Sequence, residues 1–203
     1  MAPCPRDLRS VSYTHLRHEQ VNFIALSARR HVLWSRLLGR SVTAKVLRHC
    51  DCPVWTDSYL DKPQGSNISI RNVLCAIDLS PHSRTTVSRA AQIAREFRAR
   101  LTLLHVTAGV EIYGPGGLHV LRELKQELVG AAAKEIAKLQ AEVSIDTEVI
   151  IQCGDVLKHL NRAAELAGSD LLVIGHLPSN GHLGANGAGY AIARESCIPV
   201  LRV

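Results

Sequence analysis

From residue 70 onward, short apolar runs alternate with longer stretches whose apolar residues return every three or four positions. Runs of the first kind predict strands and those of the second predict amphipathic helices. Residues 70–77 (IRNVLCAI) read as a first strand. Ser80 and Pro81 then signal a helix start, because the fixed φ of proline suits a first turn and its missing N–H costs nothing there. The stripe Val87, Ala90, Ala91, Ala94 and Phe97 gives that helix one apolar face. Residues 101–106 are nearly all apolar, as expected of a strand covered on both faces. Residues 107–118 carry four glycines and a proline and read as loop.

The longest helix is predicted over 119–141, with a stripe through Val120, Leu124, Leu128, Ala132, Ile136 and Leu139. A third strand over 147–151, a helix over 155–167 opened by Asp155, and a fourth strand over 171–174 follow. The glycine-rich stretch 178–189 is loop, leading to a short helix over 188–195 and a fifth strand over 198–203. Strands alternating with crossover helices predict a doubly wound, open, parallel five-stranded sheet of Rossmann-like type. Ligands of such sheets bind at the carboxyl ends of the strands.

Composition narrows the function classes. Hydrophobic residues make up 46% and charged residues 21%, which is ordinary for a soluble globular chain with one sizeable core. The net charge of +6 is unevenly placed: 10 of the 24 Lys and Arg but only 5 of the 18 Asp and Glu precede residue 68, so the main domain is nearly neutral. With aromatics at 4%, a stacking platform for bases has little material, and no nucleic-acid partner is expected. The six cysteines follow no framework spacing and no leader pattern precedes them, so reduced thiols and a cytoplasmic location are expected. No apolar run reaches the length of a membrane span, and no membrane association is expected. His49, Cys50 and Cys52 lack the second ligand pair of a zinc site, so no metal is expected. The histidines are dispersed, no nucleophile constellation is present, and His105 reads as a core histidine, so no catalytic residue is assigned.

Five segments in order carry a resemblance: NVLCAIDLS at 72–80, LTLLHV at 101–106, the Gly154–Asp155 turn, SDLLVIG at 169–175, and IPVLRV at 198–203. Together they are similar to a domain of the universal stress protein family, which implies the adenine-nucleotide alpha hydrolase-like variant of the Rossmann-like sheet over residues 68–203. A second copy of the family's tail lies upstream. FIAL at 23–26 resembles the fourth strand, and SVTAKVLRHCDCPV at 41–54 resembles the last helix and last strand, with Pro53 set against Pro199, Arg48 against Arg194 and Val46 against Ile192. Residues 21–57 therefore read as the remnant of a first domain, after a poorly structured 1–20 and before a linker at 58–67. The resemblance also implies pairing through the last strands, either as a homodimer or internally with the strand after Pro53.

What the resemblance implies for a ligand is an adenine nucleotide, ATP or AMP, held weakly or not at all. Ala76, Asp78 and Val106 fall on the nucleoside side, and Asp78 can equally accept from ribose hydroxyls or cap the helix that follows. Nucleotide-binding relatives close a G-x2-G-x9-G-S/T loop on the phosphates after the fourth strand. Here Ile174, Gly175 and His176 begin it, Pro178 stands at the second glycine, and Asn186, Gly187 and Ala188 end it. Proline has no N–H to offer a phosphate. In the upstream copy Ser27, Arg30 and Arg40 occupy the glycine positions, so that copy reads as a basic face without a nucleotide. The function implied is a stress-response protein acting by association, with an ATP-binding, slowly hydrolysing member as the alternative.

Overall fold

The structure, a computed structural model, describes residues 21–27, 42–57, 69–107, 109, 117–175 and 188–203. In chain order its elements are β1 (Ile24–Ser27), α1 (Val42–His49), β2 (Val54–Asp57), β3 (Asn72–Ile77), α2 (Ser83–Phe97), β4 (Arg100–Thr107), α3 (Gly117–Val143), β5 (Glu148–Cys153), α4 (Val156–Leu166), β6 (Leu171–Ile174), α5 (Ala188–Glu195) and β7 (Val200–Arg202). The five expected strands are β3 to β7, and two more join them in a sheet of order β1-β2-β7-β6-β3-β4-β5.

Alternation along each strand explains the two layers of helices. Val73, Cys75 and Ile77 of β3 point into a core with Val87, Ala90 and Ala94 of α2 and Ile136 and Leu139 of α3. Leu74 points the other way, against Leu160, Ala163 and Ala164 of α4 and Ile192 of α5. Every residue of β6 is buried, which is why that strand reads as an uninterrupted LLVI. Burial also pushes the Cys75 thiol up to about 12, so it behaves as a neutral core group.

Local signals set the helix ends. The Asp155 carboxylate accepts from Lys158 N–H at 2.8 Å, capping α4. Gly154 before it has φ +134°, a conformation that requires glycine. At the end of α2, Arg98 turns left-handed at φ 54°, its N–H reaches Arg95 O at 3.2 Å, and Ala99 N–H reaches Ala94 O at 2.8 Å. That pair of bonds is a Schellman ending. It leaves Phe97 exposed on the last turn, so the apolar stripe expected to include it stops at Ala94. Pro81 lies in a turn before the helix, with Ser83 N–H on Ser80 O at 2.9 Å, and α3 begins at Gly117, inside the stretch expected to be loop.

Chain order places the ligand crevice. β3 pairs in parallel with β4 on one side and with β6 on the other. The connections therefore run outward in opposite directions from β3 and β6, and the gap between their carboxyl ends is a topological switch point.

The N-terminal piece repeats the other end of the sheet. Ile24 N–H donates to Pro53 O at 3.0 Å just as Leu172 N–H donates to Pro199 O at 2.9 Å. β1 runs parallel to β2 as β6 runs parallel to β7, and α1 and α5 each have 8 residues. β2 then meets β7 antiparallel, with Val54 opposite Arg202 and Thr56 opposite Val200. The edge of β7 that a homodimer through the last strands would use is thus occupied by β2.

Arg202 fastens this junction. It is 3% exposed, and its Nη2 donates to Cys50 O at 2.6 Å and Cys52 O at 2.7 Å. Those carbonyls end α1 and lead into β2, so one guanidinium holds the N-terminal piece against the main domain. Val46, Leu47, Val54 and Ala193 close a small apolar core beside it.

Candidate nucleoside site

Three strand ends and the starts of two helices, α2 at Ser83 and α4 at Val156, build a cavity of about 150 Å³ at the switch point. Ala76 on β3 and Val106 on β4 lie on the same face of the sheet, because both pack against the core shared with α4 and α5. Leu104, Leu160 and Ile192 deepen this apolar floor. Ile174 and Gly175 form the opposite lip where β6 ends. The walls suit a flat, weakly polar group, since apolar lining with few polar groups is the usual chemistry of such clefts.

Asp78 stands at the mouth, one residue beyond β3. Its Oδ1 accepts from Ser80 N–H at 3.0 Å and from the Ser83 hydroxyl at 3.0 Å. Partial burial alone would raise its carboxyl, but the hydrogen bonds from Ser80 and Ser83 outweigh that and hold it below the ordinary carboxylate value. Leu79 between them is left-handed at φ 59°, an uncommon state for a leucine that lets Ser80 turn back onto the carboxylate. Both of these bonds fall on Oδ1, and the Ser80 side chain also helps to lower the carboxyl, so the start of α2 holds this carboxylate in place.

Gly175 is fixed by packing. A Cβ at this position would lie 2.5 Å from Oγ1 of Thr86, which itself donates to His82 O at 3.2 Å. The first glycine of the expected loop therefore admits α2 close to the end of β6. At the far side of β4, His105 places Nδ1 2.9 Å from Ile77 O. A carbonyl only accepts, so Nδ1 carries the proton, and this histidine links β4 to β3 within the sheet.

Five of the nine residues expected from sequence meet around this cavity: Ala76, Asp78, Val106, Ile174 and Gly175. Ala188 opens α5. His176, Asn186 and Gly187, together with Pro178, lie outside the described residues. Sequence reasoning missed Ser80, His82, Ser83 and Thr86, which bring the polar start of α2 to the cavity wall. The signal was present in the serines directly after Asp78, within reach of a carboxylate that begins a helix. Among the described residues, no group of three or more His, Cys, Asp or Glu could hold a metal ion, and no helix is long and apolar enough to cross a membrane.

Comparison with known proteins agrees with this architecture. The sequence profile of the universal stress protein family matches residues 69–203. Universal stress protein A homolog 1 of Coxiella burnetii is 32% identical over 117 residues, covering 56% of this chain and 79% of that protein. A crystal structure of a putative universal stress protein from Pseudomonas aeruginosa superposes with a TM-score of 0.62 at 18% identity, covering 93% of this chain and 65% of that one. A universal stress protein crystallised in complex with cAMP superposes with a TM-score of 0.50 at 23% identity, covering 67% of this chain and 98% of that one. With a profile match across β3 to β7 and a relative that shares nearly a third of its aligned residues, the chain belongs to the universal stress protein family.

Proposed function

We propose that this is a cytoplasmic stress-response protein that acts by association rather than catalysis, and whose cavity takes adenine nucleotide weakly or not at all, ATP no better than adenosine or AMP. The observation that carries the reading is the division of the site at Asp78. Behind it lies an apolar floor of Ala76, Val106 and Leu104 that fits a base, and the carboxylate itself is tied to α2 through Oδ1. The Asp78 carboxylate at the mouth is the acceptor that a ribose hydroxyl would meet. The solved relative in complex with cAMP supports an adenine nucleotide as the ligand class.

The phosphate side is weaker by its sequence. Pro178 offers no N–H, and Asn186 replaces a glycine. Losing one or two charge-assisted bonds of about 1.5–3 kcal/mol each lowers ATP affinity by roughly one to four orders of magnitude. Residues 21–57 belong in this reading as the remnant of a first universal stress domain joined by a linker at 58–67. The repeated hydrogen bond at Ile24 and Leu172 supports this, as does a Pseudomonas neighbour that spans 93% of the chain.

Calorimetry with adenosine, AMP and ATP tests the proposal. ATP should bind no more tightly than AMP, and Pro178→Gly should improve ATP selectively. Micromolar ATP binding far stronger than AMP binding would instead put the ATP-hydrolysing alternative first.

A further inference from the structure

The internal repeat exposes on one side what it buries on the other. By the matched hydrogen bonds and registers, Ile24 corresponds to Leu172 and Ala25 to Val173, so Phe23 corresponds to Leu171. Leu171 is 1% exposed and Val173 0%, whereas Phe23 is 52% exposed and Ala25 is exposed as well. The difference has a visible cause. β6 has β3 along its outer edge and α2 across its face, while β1 ends the sheet and among the described residues no strand pairs with its outer edge.

The backbone of β1 is set up for such a partner. Ile24 spends its N–H on Pro53 O toward β2, so the N–H and C=O of Ala25, the next residue, point to the open side. Edge strands are usually protected by charge, proline or a bulge. The sequence IALS of β1 has no charge and no proline, whereas β5 at the opposite edge of the sheet carries exposed Glu148 and Gln152. Beside β1 a groove of about 610 Å³ is lined by Phe23, Leu201 and Val203 and by Arg89, Ile93 and Glu96 of α2. The register in which Val54 faces Arg202 and Thr56 faces Val200 relates the two halves by a twofold, and a second helix of the α2 kind laid there antiparallel by it would set its glutamate against Arg89 and its arginine against Glu96.

We propose that the outer edge of β1, with the uncovered face around Phe23 and Ala25, docks a parallel strand and the amphipathic helix after it, both of the β3–α2 type, supplied by a second polypeptide. The molecule carries the template for the register. β3 sets Leu74 against Leu172, Cys75 against Val173 and Ala76 against Ile174. The docked strand therefore places its equivalents of Leu74, Cys75 and Ala76 against Ile24, Ala25 and Leu26. Main-chain bonds supply the affinity and the alternate side chains supply the selectivity, as in other strand additions. The inference does not depend on nucleotide binding.

The test uses the full chain and a labelled peptide of residues 69–99, which is this protein's own strand-helix unit, under reducing conditions. Saturable binding is expected, with none for a scrambled peptide, and amide exchange at Ala25 should slow about tenfold or more on binding. Ala25→Pro removes the outward N–H and should abolish binding. Phe23→Ser, at an exposed position that does not threaten folding, should weaken it about tenfold. Four results would each overturn the proposal: no binding, binding indifferent to both substitutions, an Ala25 amide already protected in the chain alone, or self-association of the chain through β1.

Discussion

Trp55 on β2 lies directly opposite Leu201 on β7. Because Val54 and Thr56 flank one residue as Val200 and Arg202 flank the other, this pair marks the centre of a twofold relation inside a single chain. An aromatic residue facing an aliphatic one across an antiparallel pair contributes packing beyond the backbone bonds. The edge of β7 is thus satisfied internally, and an isologous contact with another chain has no need to form there.

This gives a prediction for the isolated domain. A fragment of residues 69–203 should unfold cooperatively, since it holds both cores of the α2–α3 and α4–α5 layers. With β2 gone, its bare β7 edge should pair with a second fragment, whereas the full chain should not dimerise through that edge. Light scattering of both at tens of micromolar decides it. A monomeric fragment would mean that β7 is not the sticky edge.

Arg202→Ala should destabilise the chain by about 2–4 kcal/mol, because it removes the shared donor of the buried contact to Cys50 O and the part-buried contact to Cys52 O. The loss should be local first. Limited proteolysis should cut within residues 21–57 well before the main domain yields, and urea unfolding should lose its coincidence between tryptophan fluorescence, whose two sources Trp34 and Trp55 both lie in that piece, and far-ultraviolet circular dichroism. Equal susceptibility of both parts would show that the guanidinium does not hold them together.

Gly175→Ala should cost about 1–3 kcal/mol, since the new Cβ would lie 2.5 Å from Thr86 Oγ1. The companion change Thr86→Ala removes that oxygen, so the double variant should recover much of the loss. Thr86→Val keeps an atom in its place and should recover none. The coupling is read from denaturant midpoints of the four proteins. Additive effects would mean that the glycine serves something other than the approach of α2.

Asp78 should leave a signature in acid. Its folded carboxyl sits below the ordinary value near 4, so the stability it contributes is present above that unfolded value and is lost as pH falls through the lower folded one. Asp78→Asn should remove that part of the acid dependence and leave the profile at neutral pH and above with the same shape. Thermal melts from pH 7 down to about 3 measure it. An unchanged slope below pH 4 would show that the hydrogen bonds to Ser80 and Ser83 do not favour the ionised form.

How much of this was written in the chain depends on the range of the interaction. β6 is legible because a strand covered on both faces must be apolar throughout, and LLVI is. The cap of α4 is legible because Asp155 acts on an N–H three residues away. The meeting of Ala76, Val106 and Ile174 was implied by the family resemblance, since no local pattern in those residues marks a shared site. Other features depend on distances that no local pattern encodes. Thr86 reaches Gly175 only because α2 packs where it does. Phe97 fits the helical stripe and yet lies exposed, because the Schellman turn ends the helix first. The alternatives at Asp78 stayed open in sequence because both need a carboxylate at the same place. The left-handed Leu79 that settles the Oδ1 contacts has no marker of its own.

The bonds from Arg202 to Cys50 and Cys52 span 152 and 150 residues. On a ribosome this separation becomes a delay. β1, α1 and β2 are made early, and the strand that secures them, β7, is the last element in chain order. Until it emerges, β1, which carries no charge, and β2 wait without the strand that secures them while the whole main domain is being synthesised, since distant contacts form only after the intervening chain is in place. The junction that makes one chain resemble a joined pair is also the step at which its N-terminal piece is most open to pairing with something else.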